Sequence, residues 1–340
     1  MKSLVKFERV EGDNYDTMGI SFYIYGGCKF NCSYCFLVGY NRSAAWRARA
    51  APQGFKHQPP VEQHCSVVDV LFRLKQKFFI YLYGGEPTEY KHTHELIEYI
   101  NSKPRDIFSH IEMQTNLNTT RDDLKRYCDY KYLNISPTLH LDHLKGDTIH
   151  DLVDKIDIIY DSDKLTRIDF VMAKKSPDLV RELHYILKEK PYFDKVMYTR
   201  NFLEINTGEG GLNYHSGQSD VYTGKFNTYD QFNDICEDAI YKEMYKLTYN
   251  DGSSDIVDAN ELYTEKDKLN FKGWLCDAGN KLMLVDYTGD WWICDNEYIK
   301  NEPAGNMLES SSKFLLHSRG PHICKLDKCD GCFFIDRKLV

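Results

Sequence analysis

Three cysteines near the amino end have a spacing that suits one kind of metal centre. Cys28, Cys32 and Cys35 lie in the run GGCKFNCSYCF and form a C-x3-C-x2-C pattern. Cysteine thiolates hold [4Fe–4S] clusters, usually four to a cluster, so three thiolates leave one iron without a protein ligand. An open iron can bind a cofactor, and the spacing therefore predicts a catalytic cluster at this loop.

Two other interpretations of the same cysteines are a zinc site and a set of reduced thiols in the core. Structural zinc takes four ligands, and buried core thiols show no fixed spacing, so both fit the pattern less well. The loop also follows a strand-like stretch, Met18–Tyr25, and begins with Gly26 and Gly27, which let the backbone turn. A short loop of this kind suits a cap of three thiolates.

A second segment predicts a ligand site next to the loop. Residues 78–83, FFIYLY, have the composition of a buried strand and run directly into Gly84, Gly85, Glu86 and Pro87. Small residues let backbone carbonyls reach the ammonium group of a ligand, and the Glu86 carboxylate can hydrogen-bond the same group. Taken alone, the segment could equally be a turn with an exposed glutamate.

Together the two segments resemble the radical S-adenosylmethionine (SAM) superfamily. Its three-cysteine loop has this spacing with an aromatic residue before the third cysteine, here Tyr34, and Gly-Gly-Glu-Pro is its second motif. The resemblance, over roughly residues 18–201, implies that SAM binds the open iron of a [4Fe–4S] cluster, in contact with Tyr34 and residues 84–87. It also implies cofactor contacts from Thr115, Asn116 and Ser136, although Leu117 stands where relatives often have glycine.

The alternation of helix-like and strand-like stretches through residues 18–199 predicts six strands, each separated from the next by a helix. Repeated βα units form parallel sheets with right-handed crossovers. The expected fold class is therefore α/β, and the resemblance implies a partial (β/α)6 TIM-like barrel. Sites in such barrels lie at the carboxyl ends of the strands, where both motifs would meet.

A second group of cysteines predicts another metal centre near the carboxyl end. Its members are Cys276, Cys294, Cys324, Cys329 and Cys332. The first two flank a stretch around Tyr287–Asp290 that reads as a β-hairpin with Gly289 in its turn. This cysteine-x12-glycine-x4-cysteine element resembles the SPASM/twitch extension of radical SAM enzymes, which binds auxiliary iron–sulfur clusters.

The full SPASM pattern carries seven cysteines, so five imply the shorter twitch form with one auxiliary [4Fe–4S] cluster. We expect its ligands to be Cys276, Cys294, Cys329 and Cys332, with the role of Cys324 left open. A zinc ribbon is the alternative, because C-x2-C pairs also make tetrahedral zinc sites. The predicted division is a barrel at 1–201, a bridging region at 202–271 and a small hairpin and helix domain that binds the cluster at 272–340.

Composition narrows the classes of protein that the chain can represent. Its 340 residues are 42% hydrophobic, which suits a globular protein with a large core and an appended module. The amino end has no apolar signal segment, no apolar run is long enough to span a bilayer, and eleven cysteines favour metal ligation in a reducing compartment. We therefore expect a cytoplasmic protein, and the net charge of −8 argues against a nucleic-acid partner.

The resemblance implies an oxidoreductase that cleaves SAM reductively to a 5′-deoxyadenosyl radical and abstracts a substrate hydrogen. It needs an external one-electron reductant, flavodoxin-like or ferredoxin-like. Most SPASM/twitch relatives act on peptides, which predicts a crosslink, thioether or oxidised side chain in a peptide or protein. The chain begins close to the predicted barrel, so we expect no separate leader-peptide-binding module before it. The alternatives are a small-molecule dehydrogenase or rearrangement enzyme acting on a sugar or nucleotide, and a non-catalytic metal-binding scaffold.

Overall fold

The fold is taken from a computed structural model, which describes most of the chain. The described residues are 3–10, 17–30, 58–144, 148–172, 176–200, 235, 244–258, 270–294, 297, 303–317, 321–325 and 337–339. Most of the predicted bridging region lies outside these residues.

The strands within the described ranges are β1 (Leu4–Arg9), β2 (Met18–Tyr25), β3 (Phe78–Gly84), β4 (Phe108–Thr115), β5 (Leu133–Leu139), β6 (Ile168–Met172), β7 (Val196–Arg200), β8 (Met244–Tyr249), β9 (Ser254–Asp258), β10 (Leu275–Cys276), β11 (Leu282–Asp286), β12 (Asp290–Trp292), β13 (Gly305–Asn306), β14 (His322–Ile323) and β15 (Arg337–Lys338). The helices there are α1 (Val61–Leu71), α2 (Thr93–Asn101), α3 (Arg121–Cys128), α4 (Ile149–Asp161), α5 (Pro177–Lys188) and α6 (Ser311–His317).

The six strands predicted from the sequence are confirmed as β2 to β7. They pair in chain order, every pair is parallel, and β2 has the predicted bounds. In the described ranges an α-helix lies between each pair of neighbouring strands from β2 to β7, so the α/β fold class with its incomplete barrel is also confirmed.

The main core lies between this sheet and its helices. Alternate residues of β2, such as Ile20, Phe22 and Ile24, are fully buried, as are Ile80 and Leu82 of β3. Most of the intervening residues on β3 and β4 are half-buried, and those with side chains are polar or aromatic. One face of the sheet is therefore a packed apolar layer, and the other is available for a polar site.

The predicted hairpin is present as β11 and β12, and β11 extends the barrel sheet. It pairs parallel with β2 from Leu282 opposite Gly19 to Asp286 opposite Tyr23. Among the described strands the sheet order is β13-β12-β11-β2-β3-β4-β5-β6-β7. The carboxyl end of β11 thus lies at the same edge of the sheet as the cysteine loop.

A second sheet joins the two ends of the chain. Strand β1 pairs antiparallel with β8 on one side and with β15 on the other, and β15 continues to β10 and β14. Strand β1 therefore pairs with a strand near the carboxyl end. The division into a barrel, a bridging region and a cluster-binding domain remains a prediction. Among the helices of the described ranges, none has both the length and the apolar character needed to cross a membrane.

Candidate active site

The two sequence motifs meet at the carboxyl ends of β2 and β3. The backbone N–H of Gly85 donates to the carbonyl of Tyr25 at 2.7 Å, and the N–H of Glu86 donates to the carbonyl of Gly27 at 2.8 Å. The base of the cysteine loop is therefore joined to the second motif through main-chain atoms. The sequence predicted that these segments would share one edge of the sheet.

The glycines of the second motif are required by this close approach. A Cβ on Gly85 would lie 2.0 Å from the carbonyl oxygen of Gly27, and one on Gly84 would lie 2.3 Å from that of Tyr25. Gly84 also has a φ of +150°, a conformation that side chains rarely adopt. The pair of glycines lets the cysteine loop pack directly on the strand end.

Glu86 joins three segments of the site. Its side chain is 1% exposed and accepts hydrogen bonds from the backbone N–H and hydroxyl of Thr88, the hydroxyl of Thr115 and the backbone N–H of Asn116. Burial raises the pKa of Glu86 above its usual value, and these four hydrogen bonds act in the opposite direction. The carboxylate predicted to contact a ligand thus receives its hydrogen bonds from the protein itself, tying the end of β3 to the end of β4.

The loop after β4 reaches the first cysteine. The side-chain amide of Asn116 donates from Nδ2 to the sulfur of Cys28 over 3.5 Å. Leu117 follows with a φ of +61° and is 1% exposed, and its carbonyl accepts from the buried ammonium of Lys155 at 3.3 Å. The left-handed backbone explains why glycine is common at this position in the resembling family.

Further contacts, which sequence reasoning missed, hold the described part of the cysteine loop. Glu89 accepts the backbone N–H of Lys29 at 3.0 Å, and the ring of Phe30 stacks on His143 with centroids 5.1 Å apart. Phe30 also meets the edge of His140, whose pKa is lowered to about 4 by burial and by His143. An aromatic residue such as Phe30 in the loop was a sequence signal for such packing. Nothing in the sequence indicated the contact of Glu89.

The remaining predicted residues of the first site fall into two groups. Cys32, Tyr34 and Cys35 lie outside the described residues. Ser136 is fully buried, and its hydroxyl donates to Glu112 at 2.5 Å and contacts the hydroxyl of Thr166 at 2.6 Å. It therefore belongs to a polar network on the sheet, and its role towards a cofactor stays a prediction.

That network continues across the face of the sheet opposite the helices. Arg167 donates to the Tyr81 hydroxyl at 2.6 Å and to Asp169 at 3.2 Å, and Gln114 donates to both Thr138 and Asp169. Burial raises the pKa of Asp169, and the nearby guanidinium of Arg167 acts in the opposite direction. The sequence analysis did not select these residues, because the pairing depends on neighbouring strands rather than on a motif.

A cavity of about 860 Å³ lies against the first cysteine. The residues that line it are Tyr25, Gly27, Cys28, Lys29, Gln58, Thr88, Glu89, Asn118, Thr119, Thr120 and Asp123. Cys28 is exposed, so its sulfur is accessible from this space. Most of the lining residues are of polar type, and they come from the loops that follow β2, β3 and β4.

The carboxyl-terminal cysteines have a different setting. Cys276 is buried and lies opposite His322 in the β10–β14 pair, while the N–H of Cys324 donates to the carbonyl of Trp274 at 2.8 Å. Cys294 and Cys324 both pack against one apolar cluster, which also contains Cys276. Its other members are Tyr23, Ala278, Leu282, Leu284, Tyr287 and Trp292.

Only some of the cysteines predicted to hold the second metal centre lie within the described residues. Cys329 and Cys332 lie outside the described residues. In the part of the chain that the structure describes, no three His, Cys, Asp or Glu side chains are close enough together to hold a metal. The structure therefore brings Cys276, Cys294 and Cys324 to one apolar region, and the ligand set stays a prediction.

The described barrel carries the sequence's cysteine motif after its first barrel strand, and comparison with known proteins gives the family of this domain. The model of the radical SAM superfamily matches residues 22–167, which include the cysteine loop, the second motif and strands β3 to β5. Residues 22–167 therefore form a radical SAM domain, and the resemblance drawn from the motifs is confirmed. No curated protein sequence matches the chain.

Solved structures extend the likeness beyond that domain. The structure of anSMEcpe with bound AdoMet is 15% identical with a TM-score of 0.52, and the match covers 89% of this chain and 78% of that chain. Native anSMEcpe with bound AdoMet and Kp18Cys peptide is 15% identical with a TM-score of 0.50, and the match covers 88% of this chain and 81% of that chain. Streptococcus suis SuiB bound to precursor peptide SuiA is 15% identical with a TM-score of 0.50, and the match covers 89% of this chain and 64% of that chain. At this identity the likeness shows a shared fold, which includes the carboxyl-terminal region.

Proposed function

We propose that this protein cleaves SAM reductively and uses the resulting radical to modify a peptide or protein substrate. The observation that carries the proposal is the position of Cys28. Its exposed sulfur faces a polar cavity of about 860 Å³, at the edge where the cysteine loop packs on the Gly84–Pro87 segment. A cluster in this position would be open to a ligand from the cavity.

The residues present fit a [4Fe–4S] cluster with one open iron. Cys28 offers an accessible thiolate, a neighbouring amide N–H points at its sulfur, and Cys32 and Cys35 follow at the spacing of a three-thiolate loop. When bound, the cluster supplies one electron to break the sulfur–C5′ bond of SAM, and the 5′-deoxyadenosyl radical takes a hydrogen atom from the substrate. The electron comes from a flavodoxin-like or ferredoxin-like protein of the cytoplasm.

The protein's own part is to position the reactants and to exclude competing ones. Glu86 fixes the ends of β3 and β4 relative to each other, and Glu89 fixes the cysteine loop through Lys29. Rigid placement of this kind lets a reactive carbon meet one C–H bond, which supplies a large part of the rate enhancement in such reactions. Tyr34, Thr115, Asn116 and Ser136 are proposed to contact SAM in this arrangement.

The proposed auxiliary centre is one [4Fe–4S] cluster held by Cys276, Cys294, Cys329 and Cys332. Cys324 packs against the same apolar cluster as Cys276 and Cys294, which makes it a further candidate. A cluster with four thiolates has no free iron for a substrate, so electron transfer is its proposed role.

A peptide substrate is supported by the fold alone. Two neighbours of the same fold, anSMEcpe and SuiB, have been crystallised with peptides bound. The described polar face from Tyr81 to Asp169 offers both acidic groups and a guanidinium to a substrate. We expect the side chain that is modified to lie over this face.

The test is anaerobic reconstitution with iron and sulfide, followed by incubation with SAM and dithionite. We expect 5′-deoxyadenosine from the wild-type protein and none above background from the Cys28→Ala variant. Adding peptide libraries should then yield a mass change that depends on SAM. Intact clusters without 5′-deoxyadenosine would reject the radical chemistry, and product formation with sugars or nucleotides instead of peptides would reject the substrate class.

A further inference from the structure

Asn116 has an orientation that is fixed from three directions. Its backbone N–H donates to Glu86 at 2.7 Å, and its side-chain Oδ1 accepts the backbone N–H of Asn118 at 2.8 Å. Because the oxygen of the amide is engaged by an N–H donor, the nitrogen is the end that faces Cys28. The sulfur and Nδ2 are 3.5 Å apart, a hydrogen-bond distance for sulfur.

The surroundings keep this contact in place. Asn116 is 9% exposed, and the next residue, Leu117, turns the backbone sharply with its φ of +61°. Asn118 in turn donates to Glu89, the residue that accepts the backbone N–H of Lys29. Hydrogen bonds to the Glu89 carboxylate thus link the loop that carries Asn116 to the loop that carries Cys28. The Asn116 amide is therefore already ordered before a cluster binds.

A neutral N–H donor beside a cluster ligand has a predictable electronic effect. Hydrogen bonds to the sulfurs are among the features that set the reduction potential of an iron–sulfur cluster. Reduction adds negative charge to the cluster and its thiolates, so a donor stabilises the reduced state more than the oxidised state. The low exposure of Asn116 strengthens the interaction, because little water competes for its amide group.

We propose that Asn116 is a positioning residue that raises the reduction potential of the cluster held by Cys28, through an N–H···S hydrogen bond to that cysteine. The inference rests on the proposed function, because it requires the [4Fe–4S] cluster at this loop. It adds a role for Asn116 that precedes SAM binding and that operates in the cluster without its cofactor.

The test compares two asparagines, one beside the cluster ligand and one remote from it. Asn116→Ala removes the donor to sulfur, and Asn101→Ala removes an amide at the end of α2 that accepts from Arg105. The midpoint potential of the cluster is measured by EPR-monitored titration without SAM, in a background of Cys276→Ala and Cys294→Ala. We expect the reduced-to-oxidised ratio at a fixed potential to fall about threefold to tenfold in Asn116→Ala, the range of one ordinary hydrogen bond, and to stay near wild type in Asn101→Ala.

Equal potentials in the wild type and Asn116→Ala, or equal shifts in both alanine variants, would overturn the proposal. If Asn116→Ala does not retain iron, a measurement on the wild-type protein decides. Side-chain 15N-asparagine labelling should give a weak nitrogen coupling to the reduced cluster in pulsed EPR, and its absence would overturn the proposal. A wild-type protein that assembles no [4Fe–4S] cluster at all would instead reject the proposed function.

Discussion

The two cysteine-bearing regions differ in what surrounds the sulfur atoms. Cys28 is exposed beside a polar cavity, and its loop is held by hydrogen bonds from Asn116 and to Glu89. Cys276 is buried, and it belongs to an apolar cluster that includes Tyr23 and Trp292. A small ligand can reach Cys28, whereas Cys276 is enclosed by apolar side chains.

This difference suggests a division of work between the regions. An accessible thiol beside polar residues suits the binding of a charged cofactor, and an apolar environment would suit the electron transfer proposed for an auxiliary cluster. The two regions are connected through a hydrogen-bonded ladder, because β11 pairs with β2 along its whole length. Tyr23 belongs to the apolar cluster and precedes Cys28 by only five residues on that strand and loop.

Removing each set of thiols should give the largest effect and tests whether the two regions have different roles. Replacing Cys28, Cys32 and Cys35 by alanine should remove about four irons per chain and abolish SAM cleavage. Replacing Cys276 and Cys294 should lower the iron content while the SAM-responsive cluster remains. Iron analysis and 5′-deoxyadenosine assays check both, and Cys128→Ala, a buried thiol in α3, is the control that should change neither.

Unchanged iron after removal of Cys276 and Cys294 would show that the second region holds no auxiliary cluster. Cleavage that persists without the first three cysteines would contradict the assignment of the catalytic centre. Bound zinc in place of iron at the second region would favour the ribbon interpretation.

A smaller change should disturb the first region through its backbone alone. The added methyl group in Gly85→Ala would meet the carbonyl of Gly27 at 2.0 Å and push the cysteine loop away from β3. We expect SAM cleavage to fall about 100-fold, the cost of a displacement near 1 Å in a positioned reaction. Gly252→Ala is the matched control, since its φ is +83° but no atom lies within 4 Å of the new Cβ. Similar losses in both variants would mean that general destabilisation explains the effect.

The Glu86 hydrogen bonds can be tested by their contribution to stability. Thr115→Val removes the hydroxyl that donates to the buried Glu86 carboxylate at 2.7 Å. The same hydroxyl accepts the backbone N–H of Leu117 at 3.1 Å, so that hydrogen bond is lost as well. We expect the free energy of unfolding to fall by about 1–3 kcal/mol, the cost of leaving a buried polar group unsatisfied. Chemical denaturation measures it, with Thr119→Val as the control because that hydroxyl bonds the half-exposed Asp123. Equal losses would contradict a special role for the carboxylate.

The smallest effect concerns a histidine under the cysteine loop. His64 is fully buried, donates from Nε2 to the carbonyl of Ile24 at 2.7 Å, and has its pKa lowered by burial from 6.5. The unfolded chain therefore takes up a proton at this residue before the folded chain does, so stability present above pH 6.5 is lost as the pH falls below it. Denaturation midpoints at pH 7.5 and 5.5 should differ less in His64→Gln than in the wild type. An unchanged pH dependence in the variant would assign the effect to other histidines.

The sequence predicted the barrel strands because apolar residues recur with strand periodicity and end at small or polar residues. It also placed the cysteine loop and the Gly84–Pro87 segment at one edge, since parallel strands share their carboxyl ends. It did not predict the pairing of β11 with β2, or of β1 with β15, because nothing local to these segments specifies a partner so distant in the chain.

Several site contacts were equally hidden. The bond from Asn116 to the Cys28 sulfur joins residues that are 88 positions apart, and Glu89 reaches Lys29 across 60 positions. Leu117 was different, because its departure from the glycine common in relatives pointed to an unusual backbone, which the φ of +61° now explains. Tyr34, Cys32 and Cys35 remain predictions from the spacing alone.

The central claim is that the cluster held by Cys28, Cys32 and Cys35 has one iron open to SAM. The most direct measurement is the EPR spectrum of the reduced cluster with and without SAM, in the variant that lacks Cys276 and Cys294. The account predicts that the g values of a single [4Fe–4S] signal change when SAM is added. Identical spectra, at SAM concentrations that saturate binding measured independently, would contradict it.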